Sequence, residues 1–291
     1  MSIPSRHIHL DPVGGIAGDM FIAAMLDALP EIEPFVLAEI EAVLPPDRAR
    51  ATLIRGKSGG MAVSRFAVEI SEKQPIHRAA THHHHTHCPD EYFTSLVKRI
   101  EKATISSETQ RHALAILTLI AQAESRMHDL PLDEVHFHEL ADWDSLADVV
   151  GAGAIIGALG GTGWSIGPLP LGSGLVKTAH GFLPVPAPAT AVLLEGLSVV
   201  EDGIGGERVT PTGAAIAAHL HDGLTRAPPA SAVMGRQGMG GGTRDLPDRP
   251  NVLRALVLET ASAEPEALPM AHNEEPHSNV EENIRLAREA S

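Results

Sequence analysis

Six histidines, His77, His82, His83, His84, His85 and His87, fall within eleven residues. Imidazole is the side chain that most readily binds Ni²⁺, Cu²⁺ or Zn²⁺ at neutral pH. The run is internal and broken by Thr86, unlike a purification tag. The ordinary alternative is a solvated polar loop, because a His-rich tract points to metal only through its composition. His82, His83, His84, His85 and His87 are the candidate ligands, and Cys88 either adds a thiolate or stands by.

A second constellation is Val135-His136-Phe137-His138-Glu139. In a strand, His136 and His138 project to one face while Phe137 turns to the core. Two imidazoles and a carboxylate suit a borderline metal; two histidines bonded to loop backbone are the plain alternative. Glu139, Asp142, Asp144 and Asp148 put four carboxylates within ten residues. They fit partners for the imidazoles or hard oxygen ligands, with Asp144 the metal candidate, or simply an acid-rich helix start.

A third pattern suits an anion. Strand, glycine turn and helix start follow one another through Gly14, Gly15, Gly18 and Asp19, and free N–H groups at such a junction can cradle phosphate. The spacing matches neither the Rossmann nor the P-loop pattern. Lys177, His180 and Arg244 each lie near glycines, and Gly240 and Gly242 belong to a glycine loop, so backbone nests can form there. Arg244 can instead pair with Asp245 or Asp248. Thr210 and Thr212 offer hydroxyls at a helix start. These eleven residues, Asp19 included, form the candidate ligand-binding set.

The elements that must position these groups follow from pattern. A strand over 7–10 precedes a helix over 19–29, and 31–43 is helical. Strands at 51–55 and 62–70 flank Gly59-Gly60 as a hairpin. The histidine loop spans 74–90, followed by a helix over 91–103. Ser107-Glu108-Thr109-Gln110 reads as a capping box opening a helix to Met127. His112 reads as a surface or boundary residue, and His128 sits where a helix dipole favours a cation. Asp144 is expected to N-cap a helix over 145–159, with Asp148 on its surface and Gly and Ala packing closely elsewhere. Helices over 189–194 and after Thr210, a glycine loop over 238–245 and a strand over 251–259 complete the reading. The fold class is α/β, mixed α+β: an N-terminal strand–helix unit, helices flanking the histidine loop, and a Gly/Pro-rich second half with further strands. Residues 1–259 form the metal- and ligand-binding region and 260–291 a polar, disordered tail.

Composition narrows the function. A net charge of −15 on 291 residues argues against nucleic-acid binding through a basic surface and suits cation handling. One cysteine permits no internal disulfide. The apolar run 149–163 is too short to span a bilayer and reads as a core helix. The expectation is a cytoplasmic protein.

Together these motifs resemble the nickel insertion proteins of nickel-pincer cofactor biosynthesis, the nickel chelatases that mature lactate racemase. The matching stretches are HLDPVGGIAGDMFIAAMLDAL, the histidine loop, EVHFHELADWDSLADVVG, PLPLGSGLVKTAHGFLPVPAPATAVLLEG, ERVTPTGAAI and GMGGGTRDLPDRPNVLR, in family order. The resemblance implies a lyase-type enzyme placing Ni²⁺ into a pyridinium bisthiocarboxylic acid mononucleotide, with two Ni–S bonds, one Ni–C bond and accompanying CTP hydrolysis. Forming the Ni–C bond requires loss of a ring proton, which gives His138 and Glu139 the expected role of base. Two positions depart from the family pattern: Ala141-Asp142-Trp143 stands where Gly-Ala-Val is frequent, and Ala17 where Ser is. Relatives continue into a second domain associated with CTP. CTP, with Mg²⁺ or Mn²⁺, is therefore expected to come through a separately encoded partner domain. The alternative class is a nickel-binding chaperone or storage protein.

Overall fold

The computed structural model describes residues 5–46, 49–70, 92–137, 142–178 and 180–260. The chain runs β1 (Ser5–Asp11), α1 (Gly18–Ala28), a 3₁₀ turn (Pro30–Ile32), α2 (Glu33–Glu41), β2 (Ala49–Ser58), β3 (Met61–Ile70), α3 (Phe93–Lys102) and α4 (Ser107–His128). A second 3₁₀ turn (Leu132–Glu134), α5 (Trp143–Ala158), β4 (Gly163–Ile166), β5 (Leu169–Pro170), β6 (Gly172–Ser173), β7 (Leu175–Thr178), β8 (Gly181–Pro184) and α6 (Pro188–Leu193) follow. The chain closes with β9 (Val199–Val200), β10 (Gly206–Glu207), α7 (Pro211–His221), β11 (Val233–Gly241) and β12 (Val252–Thr260).

The fold is mixed α/β, built on a six-stranded sheet ordered β2-β3-β11-β12-β1-β4. β1 pairs in parallel with β4 and β11 with β3; the other pairings are antiparallel. α1 lies across β3, β11 and β12, and α5 packs behind α1 and α2. α4 covers α5 and carries α3, α6 and α7. This layering explains why α1 and α5 are apolar on nearly every side: both are enclosed. Close approach needs small residues, as expected for α5, where an added Cβ at Gly153 would press on the backbone of α4 at Thr109 and Ala113. No helix among the described residues is long and apolar enough to cross a membrane.

Several local expectations change. The residues 238–241 are strand, not loop; Gly238 and Gly240 face the backbone of α1, and Gly241 faces Val63 of β3. Ser106, not Ser107, caps α4; its hydroxyl accepts from Thr109 N at 3.1 Å, while its own N–H donates to Glu39. Glu108 is drawn instead to Arg111 at 2.6 Å.

His112 is buried between α4 and α7, correcting the surface assignment. Its Nε2 lies 2.8 Å from Arg111 Nη2 and its Nδ1 2.7 Å from His219 Nε2. A guanidinium can only donate, so Nε2 accepts and Nδ1–H donates to His219, which fixes a neutral tautomer. Burial, then Arg111 and His219, pushes the His112 pKa down to about 4, against the pull of Glu108. Burial and Arg111 lower His219 as well, opposed by Asp222. Between the ordinary imidazole range and pH 4, the unfolded chain takes up a proton that folded His112 refuses. Stability is therefore expected to fall as pH drops from about 6.5 towards 4, by about 2 kcal/mol from this residue. Urea melts of the parent and His112→Gln at pH 5 and 7 check this; equal pH slopes would refute it.

Candidate functional site: a carboxylate cluster at three helix starts

The first turn of α1 meets the second turn of α5, at Asp148, and the first turn of α7. Thr210 caps α7, its hydroxyl accepting from Gly213 N at 3.2 Å and touching Thr212 Oγ1 at 3.1 Å. Thr212 Oγ1 accepts from Gly18 N at 3.3 Å and donates to Asp148 Oδ2 at 3.3 Å. Gly18 has no side chain because a Cβ there would overlap the Asp148 carboxylate. Asp148 is thus half-buried against α1 and α7, not on the helix surface as its spacing suggested.

Asp142, not Asp144, caps α5. Its backbone is extended (φ −107°, ψ 163°) and its Oδ1 accepts from Ser145 N at 2.8 Å. The helix therefore starts two residues earlier than expected, leaving Asp144 exposed in the first turn. Asp19, half-buried at the start of α1, accepts from its neighbour Met20 N at 2.7 Å.

These carboxylates disturb one another. Burial, helped by the charge of Asp144, raises the Asp19 pKa to about 6 against the opposing Met20 N–H and Arg65 guanidinium. Burial also holds Asp148 well above the carboxylate range, reinforced by Asp19, Asp144 and Asp142 and opposed by the Thr212 hydroxyl. A carboxylate held near pKa 6, as Asp19 is, suits proton transfer at pH 7. Sequence reasoning missed the depth of Asp148 and the part played by Arg65. The spacing of Asp144 and Asp148, one helical turn apart, was the available signal.

Four backbone N–H groups of this segment are engaged within the protein. Gly14 N donates to Val252 O at 2.8 Å, Ile16 N to Arg208 O at 3.0 Å, and Gly18 and Met20 are engaged as above. Gly15 takes φ 136° beside the Arg208 carbonyl. Arg208 holds this turn from beneath, donating to Gly14 O at 2.5 Å and Val13 O at 3.2 Å while paired with Asp202 at 3.0 Å. The strand–glycine–helix junction thus also presents carboxylates.

The remaining candidates are dispersed. Gly240 lies in β11 against α1; Gly242 N donates to Asn251 O at 3.0 Å. Arg244 donates to Gly205 O at 2.8 Å and Asp248 pairs with Arg249 at 2.9 Å, so of the two alternative partners for Arg244, Asp245 or Asp248, the latter is taken by Arg249. Lys177 is exposed on β7 opposite Phe182, and His180 stands in the β7–β8 turn. His136 is half-buried, bridged to Tyr92 through an isolated β-bridge rather than a full strand, and Phe137 is buried as expected. His138, Glu139, the histidines at 77 and 82–87, Cys88 and the 261–291 part of the tail lie outside the described residues. Among the described residues, no three His, Cys, Asp or Glu side chains already stand in metal-binding geometry.

The family description "Nickel insertion protein" matches residues 8–285. A relative from Geobacter metallireducens, named for nickel insertion, is 41% identical over 252 residues, covering 87% of this chain and 60% of the relative. Similar relatives occur in Geotalea uraniireducens (40% over 254 residues, 87% and 61% covered) and Myxococcus xanthus (38% over 266 residues, 89% and 63%). The chain spans about 60% of the length of the relatives first matched. No solved structure matches it. With the family description matched along nearly its whole length, the chain belongs to the nickel insertion protein family.

Proposed function

We propose that this chain takes part in inserting Ni²⁺ into a pyridinium bisthiocarboxylic acid mononucleotide, a lyase-type chelatase reaction. Two Ni–S bonds and one Ni–C bond form, with CTP hydrolysis accompanying insertion. Nickel is here a substrate, gathered by the histidines and passed to the ligand. The observation that carries this reading is the pair of protonation-poised carboxylates, Asp19 and Asp148, with Asp144 beside them.

Closing the Ni–C bond breaks a ring C–H bond. The carbon keeps the electron pair and gives it to nickel, and the proton needs an acceptor. A carboxylate near pKa 6 takes that proton at pH 7 and returns it to water readily. Asp19 is assigned that task; Asp148, bonded to Thr212, holds the proton inventory beside it. Asp144, exposed one helical turn before Asp148 on α5, is the proposed metal contact. His138 and Glu139 remain candidates for the same proton step.

The deciding experiment incubates the chain with Ni²⁺, the mononucleotide and CTP, with and without the C-terminal portion of a relative, and reads nickelated product by mass spectrometry. Product in either mixture supports the reading. Nickel bound without product in both would replace insertion by storage or chaperoning.

A further inference from the structure

We propose that the cleft between the end of α2 and the polar face of α3 binds the phosphate of a nucleotide, with Lys98 and Lys102 as its donors. That the nucleotide is the pyridinium mononucleotide rests on the function proposed above; the cationic cleft does not.

α3 carries two unlike faces. Leu96 and Ile100 are buried in the core. Ser95, Lys98, Arg99 and Lys102 recur at i, i+3, i+4 and i+7, the spacing that puts side chains on one side of a helix. Such a polar face is ordinarily solvated. Here it walls a cleft of about 490 Å³, whose other wall is the apolar run from Ala42 to Pro46. Among the described residues, no carboxylate lines the cleft. The chain has five lysines and a net charge of −15, yet two of those lysines and an arginine share this one concavity. A local positive field in an acidic protein draws an anion to that point.

The three cations differ in what they can offer. Among the described residues, no hydrogen bond or ion pair engages either ammonium, and each has three donors. Arg99 is engaged elsewhere: its guanidinium carbon lies 5.0 Å from the centroid of the Trp143 ring. It adds charge to the cleft, and the lysines supply the hydrogen bonds. Trp143 opens α5 between Asp142 and Asp144, so Arg99 is both a wall of the cleft and a neighbour of the carboxylate cluster.

This placement orients a ligand. A phosphate monoester carries about −1.5 to −2 charges at pH 7, the densest negative charge on the mononucleotide. Asp19, Asp144 and Asp148 repel it, whereas Lys98 and Lys102 attract it. With the reacting ring at the carboxylates, the phosphate end turns toward α3. Pro45 and Pro46 offer apolar surface to the sugar between them.

The test is calorimetric titration of the parent chain and of the double variant Lys98→Gln with Lys102→Gln. The probes are inorganic pyrophosphate, the pyridinium bisthiocarboxylic acid mononucleotide, its dephosphorylated nucleoside, and CTP. Both lysines are exposed, so an unchanged thermal melt confirms an intact fold. The double variant should bind pyrophosphate and the mononucleotide at least tenfold less tightly, and the nucleoside as the parent does. Arginine at both positions should keep most of the affinity. A loss confined to phosphate-bearing probes separates a phosphate contact from a general disturbance. Absent or unchanged pyrophosphate binding, or equal losses for mononucleotide and nucleoside, overturns the cleft. If CTP is the only nucleotide that depends on these lysines, the mononucleotide assignment falls. Lysine-dependent pyrophosphate binding, with no mononucleotide bound by the parent, overturns the proposed function and leaves the cleft standing.

Discussion

Asp19→Asn is expected to make the chain more stable at pH 8 and to slow nickel insertion about a hundredfold or more. Both effects come from one carboxylate. Folded Asp19 titrates near pH 6, against an ordinary value of 3.8. The folded state therefore holds a proton that the unfolded chain has released between those values. Stability from this group is full below about pH 4, falls as pH rises through 6, and stays lowered above. Asparagine keeps the acceptor for Met20 N–H and removes the charge, so it recovers that loss at pH 8 and changes little at pH 4. The full shift corresponds to nearly 3 kcal/mol; because Asp19 is only half-buried, solvent screening brings the expected gain to about 1–2 kcal/mol. A melting temperature a few degrees higher at pH 8, and unchanged at pH 4, is the readout. A positioned base contributes roughly 10²–10⁴-fold. The parent's insertion rate should rise with pH through about 6, and the variant's should stay low and flat. A variant that keeps the parent's rate and pH profile removes Asp19 from the proton step.

Gly240→Ala is expected to cost at least about 3 kcal/mol, a large value for a single methyl group. A Cβ on Gly240 would overlap the Met20 carbonyl oxygen and crowd Ala24 N, both backbone atoms of α1. The strand cannot retreat, since Gly240 is paired with Leu253 on one side and Ser64 on the other. The helix cannot retreat either. α5 packs behind it, and Asp27 is tied to Met239 N at 2.9 Å, Ser64 Oγ at 3.1 Å and Arg55. Gly223→Ala is the matched control: nothing lies within 4 Å of its added Cβ, so its melt should barely move. A thermal melt comparing the two decides the matter, and similar melts would mean that α1 yields. Since Asp19 opens α1, the Gly240 variant should lose insertion activity along with stability.

Much of the fold was legible because its elements are strongly periodic or sharply punctuated. The β2–β3 hairpin around Gly59-Gly60 and the long α4 lie close to where pattern put them. Sheet order was not legible, because β11 and β12 insert between β3 and β1 from the far end of the chain. The histidine-, aspartate- and glycine-rich stretches announced cation and anion chemistry, but not where each would gather. Asp148 reads as an exposed helical acid until Gly18 and Thr212 arrive from segments 130 and 64 residues away. His112 misled for a similar reason: α7, which buries it, lies beyond any local pattern. The glycines at 238–241 were read as a loop because composition registers missing side chains and cannot say whether a ligand or a helix fills the space.

The layered burial of α1, α5 and α7 also separates two rates by ionic strength. The excess negative charge is spread over the surface, where salt screens it beyond about 8–10 Å, so capture of a dilute cation should slow as salt rises. The Gly18–Thr212–Asp148 hydrogen bonds lie between packed helices, where mobile ions screen little. Salt should therefore govern how often nickel arrives, while leaving nearly untouched what happens once the ligand is seated.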